Sequence, residues 1–404
     1  MSKRTNDVPA RGLIVLLCLM SAANTVSIGA FPALLPELGT VGGLADWQLG
    51  AVAGVFGFAR MLANVPAGLF MTNHLARALV VAPVFVLTGA LLMAFGGSFA
   101  ALMVGRALMG VGHTLTTLGA LTAILRHRAG PRLASSLSAM EFAAMLGVLS
   151  GAGLLALLPR TIPWHAAWLL ACAPIAAGLV VLPLLARTLP RRDGDEVRPL
   201  FARSERAADP VAVPAVAAAG RGWLGLLAVV AGGAVAVSYS TLEQFTIPLR
   251  GSREFGLDRA GIARLLMLSQ AADLVALLPL GALADRRGTA RVLGGVFLLF
   301  AVALGLVGFG GLPLMTVGCA LFGVCMAGWM LPLGILRSAT PPAQVAWRTA
   351  LYRVAVDGGM FAGPFVAGLL SARHAGVLPG AMTVVMAAVG IALLAAARAT
   401  ARSR

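Results

Sequence analysis

Lysine is nearly missing from this chain of 404 residues, with Lys3 as its single copy. A phosphate-binding loop of the Gly-x-x-x-x-Gly-Lys type cannot be built without a second one, so nucleotide-driven work through such a loop is excluded. Charge of either sign is scarce, at 11% of residues. Cysteine occurs four times, as Cys18, Cys172, Cys319 and Cys325, each inside an apolar stretch and without metal-ligand spacing. These read as small core residues, so no disulfide framework, metal site or cofactor is expected. Convergent catalytic groups do not emerge either, and no enzyme is expected.

Hydrocarbon takes the place of what is missing. Hydrophobic side chains make up 59% of the chain and the mean hydropathy is +0.91, too apolar for a soluble protein of this size. The composition is that of a polytopic membrane protein. A spanning helix needs ~20 mostly apolar residues, and about twelve such stretches can be marked: 13–35, 47–71, 77–96, 98–125, 133–158, 164–186, 222–249, 260–284, 291–310, 313–336, 345–371 and 377–397. Small residues at Ser21-Ala22-Ala23 imitate a signal-peptide cleavage site, but the first apolar run continues well past them and reads as an uncleaved span.

The net charge of +16 would suggest nucleic acid in a soluble chain. Here it follows from arginines at one membrane surface, and no nucleic-acid partner is expected. With the amino terminus inside, the opposite side holds Arg160, Arg250, Arg253, Arg259 and Arg373, while several times as many basic residues lie inside. Both termini are therefore expected in the cytoplasm, in a bacterial inner membrane. The stretch 187–221 gathers clustered charge with Pro190, Pro199, Pro210 and Pro214, the composition of a linker. It divides the chain into an amino-terminal bundle, 1–186, and a carboxy-terminal bundle, 222–404, of six spans each.

An internal repeat supports that division. A shift of 213 sets Pro66 on Pro279, Gly68 on Gly281, Thr72 on Asp285 and Arg60 opposite Asp273. A shift of 212 sets Gly147-x-x-x-Gly151 on Gly359-x-x-x-Gly363. Two related six-helix halves follow.

The charged turn Gly281-Ala-Leu-Ala-Asp285-Arg286-Arg287-Gly288-Thr-Ala-Arg291 resembles the Gly-x-x-x-Asp-Arg-x-Gly-x-x-Arg loop of the major facilitator superfamily. The resemblance implies an all-α fold of twelve transmembrane helices in two pseudo-symmetric bundles, with this loop as a cytoplasmic latch. In it Asp285 would face the amino terminus of the fifth span near Arg132 when the carrier opens outward. Arg106-Ala-Leu-Met-Gly110-Val-Gly112 is similar to the family's element on the fourth span, where a buried arginine faces the cavity. Gly359-Met-Phe-Ala-Gly363-Pro364 looks like the Gly-Pro element that antiporters carry on the fifth span, whereas here the fifth reads Gly147-Val-Leu-Ser-Gly151-Ala152-Gly153, without the proline.

Charges inside spans are costly and mark function by default. The family's packing of span two on eleven and five on eight would let Arg60 meet Asp357 and Glu141 approach Asp273. Neighbouring carboxylates of that kind can share a proton. The competing reading is a static pair, Arg353 with Asp357 at i,i+4 on one helix. Candidate cavity residues are Asn24 on the first span, Arg106, His113 and Thr117 on one face of the fourth, Tyr239, Glu243 and Gln244 on the seventh, and Trp329 on the tenth, with Met326 and Met330 completing a wall. Glu243 could instead sit in an outer vestibule.

The expectation is a secondary transporter that moves a small solute by alternating access, with protons as coupling ion and export of a drug or metabolite as the direction. Uptake is the alternative, and a solute-sensing receptor on the same fold a remote one. Expected partners are the solute, protons and membrane lipids, and the expected state is a monomer.

Overall fold

A computed structural model describes residues 10–127, 132–188, 215–341, 344–374 and 376–402, and these are helical almost throughout, with no strand among them. In chain order the helices are α1 Ala10–Gly42, α2 Asp46–Phe95, α3 Phe99–His127, α4 Arg132–Leu157, α5 Trp164–Thr188, α6 Ala215–Thr241, a π-helical turn Leu242–Thr246, α7 Ile247–Arg253, α8 Arg259–Arg287, α9 Thr289–Phe309, α10 Leu312–Met326, α11 Leu331–Ala339, α12 Val345–His374 and α13 Val377–Arg402. Eleven helical runs are long and apolar enough to cross a membrane.

One of the eleven, α2, is two spans. Its 50 residues would measure about 75 Å as a straight helix, more than twice the ~30 Å of a bilayer's hydrocarbon. The helix breaks at His74, whose φ of −131° and ψ of 40° are not helical. The packing of both limbs against α3 shows a reversal. On the first limb Phe56 meets Gly110, and Met71 accepts a hydrogen bond from Arg126, so 46–73 runs parallel to α3. On the second, Gly89 meets Gly105 while Leu79 meets Gly119, so 75–95 runs antiparallel. The described residues therefore make twelve crossings.

Two other expected spans are interrupted. The seventh passes from α6 through the π turn into α7, and the tenth unwinds over residues 327–330 between α10 and α11. The expected linker 187–221 is helical at its ends, and its middle, 189–214, lies outside the described residues. The four cysteines are free; Cys172, Cys319 and Cys325 are buried and Cys18 half-buried.

The repeated glycines do the same job twice. A Cβ on Gly147 or Gly151 would meet the α1 backbone oxygens of Ala22 and Val26, and one on Gly359 or Gly363 would meet those of Gly233 and Val237 on α6. The fifth span thus seats on the first as the eleventh seats on the seventh.

Among the described residues, the halves meet mainly toward one side of the membrane. On the face opposite the termini, called here the far face, Arg259 makes a two-pronged ion pair with Glu37 (Nε 2.8 Å, Nη2 2.7 Å), Arg253 another with Asp46 (2.9 and 2.6 Å), and Arg160 pairs with Asp258. Beside them Gly50 and Gly54 bring the first limb of α2 against the α12 backbone, where a Cβ would stand 2.3 Å from the Pro364 oxygen and 2.6 Å from that of Phe361. A single hydrophobic core runs through both halves here, from Phe31 and Leu38 to Phe245 and Ile262. Toward the terminal face the contact fades. The amino-terminal half keeps a separate core around Leu17, Met71 and Leu79, and Gly68 and Gly281 have nothing within 4 Å of a built Cβ. The cleft between the halves opens to the terminal face.

Candidate functional site

At the head of that cleft the first limb of α2, α3, the π turn and α12 converge on the ring of Phe56. The Arg106 guanidinium carbon lies 4.8 Å from its centroid, that of Arg60 5.9 Å, and the His113 ring 5.5 Å. Arg106 also stands 3.9 Å from the Phe31 ring, so its cation is held between two aromatic faces. Such contacts contribute about 2 kcal/mol or more when desolvated, and Arg106 is 1% exposed. Its Nη2 donates across the halves to Gln244 Oε1 at 3.2 Å, while Nε and Nη1 have no partner.

The Arg60 Nη2 lies 3.0 Å from Asp357 Oδ1, and Asn64 Nδ2 donates to Asp357 Oδ2. Asp357 is fully buried, so stripping one partner from this pair would cost about 3–5 kcal/mol. This corrects the i,i+4 pairing of Arg353 with Asp357, because the carboxylate reaches across to the other half instead. Arg353 is half-buried, with no ion pair to a described residue.

A second group surrounds the π turn. Glu243 and Gln244 are both buried within it, and π turns of this kind are frequent at functional sites. Glu243 accepts from Tyr239 Oη and from Gln270 Nε2, both at 3.3 Å, and at 3% exposure it does not sit in an outer vestibule. Asp273 and Glu141 are half-buried in the same region; the charges of Glu243 and Glu141 act on Asp273, and that of Arg353 on Glu141.

Unwinding after α10 places Trp329 edge-on to Tyr239 at 6.0 Å, and Phe322 stacks on Tyr239 at 6.4 Å. Met326 is buried, but Met330 is half exposed and completes no wall. Asn24 donates to Thr116 Oγ1 at 2.7 Å, and Thr117 Oγ1 lies 3.3 Å from His113 Nε2.

The loop residues Asp285, Arg286, Arg287, Gly288 and Arg291 are set apart from the site, and Gly281 is half-buried; Asp285 itself is exposed. Gly288, at φ +89°, turns the chain there. The Arg132 side chain, expected opposite Asp285, lies outside the described residues.

Sequence reasoning missed Asn64, Gln270, Phe31, Phe56 and the far-face ion pairs. Two of these had a signal: Asn64 follows Arg60 by four and Gln270 precedes Asp273 by three, spacings that share a helix face.

Twelve crossings in two halves, with a polar cleft open to one face, define a membrane transporter rather than an enzyme. The chain belongs to the Major Facilitator Superfamily, whose sequence profile matches residues 13–251 and 224–403. No curated protein matches it. Its fold is similar to that of a POT family transporter in complex with 5-aminolevulinic acid (14% identity, TM-score 0.76, 95% of this chain and 96% of that one). It is also similar to the nucleoside transporter NupG (13%, 0.69, 95% and 98%) and to an inward-facing bacterial homolog of the human lysosomal transporter Spinster (16%, 0.65, 97% and 95%).

Proposed function

We propose that the chain is a secondary active transporter that moves a small solute by alternating access and exchanges it for protons in the direction of export, with the terminal face in the cytoplasm. The observation that carries this reading is the group Glu141, Glu243 and Asp273. Three carboxylates share one region of the cleft with no ion pair to a described residue, beside the Arg106–Gln244 contact that bridges the halves. Proton exchange is how such groups change charge, and a change of charge there alters which arrangement of the halves is favoured. Uptake is the second reading, favoured by Ala152 on α4 where the antiporter element has proline.

Labelled solutes in proteoliposomes separate the two. A vesicle interior more acidic than the medium drives accumulation by an antiporter, and a more alkaline one drives accumulation by a symporter, whichever way the protein is inserted. Accumulation of any solute that ignores the gradient in both senses would show a passive carrier.

A further inference from the structure

We propose that the transported solute is an organic anion with a flat apolar body, its anionic group held by Arg106, Arg353 and His113 on the wall built from α2, α3 and α12. The proposal rests on the transporter reading and is independent of its direction and coupling.

The argument begins from a mismatch of charges. Arg60, Arg106 and Arg353 all lie within electrostatic reach of His113, and two of them pack on the ring of Phe56 as His113 does. On that wall the carboxylate in ion-pair contact is Asp357, taken by Arg60 and Asn64. Asp357, four residues along the same helix, and Glu141, from the other half of the cleft, both act on Arg353 without forming an ion pair with it. Two guanidinium groups, Arg106 and Arg353, therefore remain without an ion pair among the described residues, the first buried and the second half-buried.

Buried donors almost always have partners in folded proteins. Arg106 leaves Nε and Nη1 unmatched among the described residues although it is 1% exposed, and His113 Nδ1, a donor in the tautomer whose Nε2 accepts from Thr117, is unmatched as well. All three nitrogens belong to α3, whose Arg106 reaches Gln244 of the other half. A planar guanidinium suits a carboxylate or phosphate oxygen better than any neutral group does. The body of the solute is indicated by what stands opposite. Tyr239 and Trp329, both partly exposed, stand edge to face at 6.0 Å on the carboxy-terminal half, backed by the buried ring of Phe322. Such rings favour a flat apolar partner in stacked or edge contact.

The test measures binding by the purified full chain in detergent, where no gradient exists. The probes are matched trios on phenyl, indolyl and naphthyl bodies: acetic acid derivative, its amide and the corresponding ethylamine. Thermal stabilisation and tryptophan fluorescence report binding. The expected result is that carboxylates bind at least tenfold more tightly than their amides, and that Arg353→Gln removes that preference. Arg106→Lys, which keeps charge but loses the planar fork, should weaken carboxylate binding severalfold, and serves where Arg106→Gln does not fold. Tighter binding of amides or amines, stabilisation by no carboxylate, or an unchanged preference in Arg353→Gln would overturn the proposal. Carboxylates that bind yet are not moved by a pH gradient in vesicles would instead overturn the coupling reading and leave this one standing.

Discussion

The two ends of the cleft are built from similar sequence and do opposite things. At the far face, Gly50 and Gly54 are filled by the backbone of α12, and three arginines meet three carboxylates across the halves. At the terminal face, Gly68 and Gly281 stand clear of any neighbour, and Asp285 in the charged loop after α8 is exposed. Small residues permit close approach without enforcing it. What holds the far face shut is the conjunction of backbone contact with ion pairs, and what the terminal face retains is the means to make a comparable contact when the halves rock. The repeat itself is uneven there. Asp285 can offer a charge to the other half, whereas its counterpart Thr72 spends its hydroxyl on the Gly68 oxygen of its own helix, at 3.1 Å.

The largest way to break the contrast is Gly50→Ala. Its methyl group would stand 2.3 Å from a backbone oxygen that cannot swing aside. We expect transport to fall more than tenfold and spin-label distances across the far face to lengthen, while Gly281→Ala leaves the distances across the terminal face unchanged. Indifference of both readouts to Gly50→Ala would show that backbone contact is not what seals this end.

Next come the ion pairs, in order of burial. Arg259→Gln strands Glu37 beside a nearly buried position and should shift the population outward by about five- to thirtyfold, the equivalent of 1–2 kcal/mol. Arg253→Gln breaks a more exposed pair and should shift it by less, under about 1 kcal/mol, with an effect that shrinks in high salt. Equal shifts in the same distance measurement would remove burial as the deciding variable.

Asp258 adds a pH dependence to the same seam. Burial pushes its carboxyl upward, but the Gly261 N–H and the Arg160 guanidinium outweigh that and hold it below the ordinary carboxylate value. A depressed group stabilises the closed seam fully above its unpaired value and loses that contribution as pH falls through the lowered one. Far-face distances should accordingly be flat around neutrality and lengthen only in acid, and Asp258→Asn should reduce the acid change, the remainder coming chiefly from Asp46, whose carboxyl the Arg253 hydrogen bond also holds down.

An effect on the scale of the exposed ion pair is expected at the terminal loop. Asp285→Asn should move the population toward the inward-open form by a few-fold to tenfold, since a carboxylate facing a helix amino terminus contributes about 0.3–2 kcal/mol. Thr72→Ala should move it little. Matching responses from the two variants would leave Asp285 as an ordinary loop charge.

The amino-acid pattern made the architecture legible because spans are long, apolar and separated by charge, and because the glycine repeats recur at a fixed offset. It was also enough to bring Arg60 toward Asp357, given which spans pack together. It misassigned Asp357 to Arg353 as an alternative, since i,i+4 spacing on one helix cannot tell whether a carboxylate turns sideways or reaches to another helix. The π turn at 242–246 and the unwinding at 327–330 were invisible because neither changes composition, yet the first holds the buried Glu243 and Gln244 and the second carries Trp329, which meets Tyr239. Far-face pairs such as Arg259 with Glu37 join residues 222 apart in sequence, and nothing local announces them.

The central claim is that the carboxylates in the cleft couple its opening to protons, and Asp273→Asn in proteoliposomes tests it most directly. The variant should fold, bind solute and exchange it across the membrane at equilibrium, yet fail to accumulate it when a pH gradient is imposed. Gradient-driven accumulation at the wild-type rate would contradict the account and return Asp273 to a structural role.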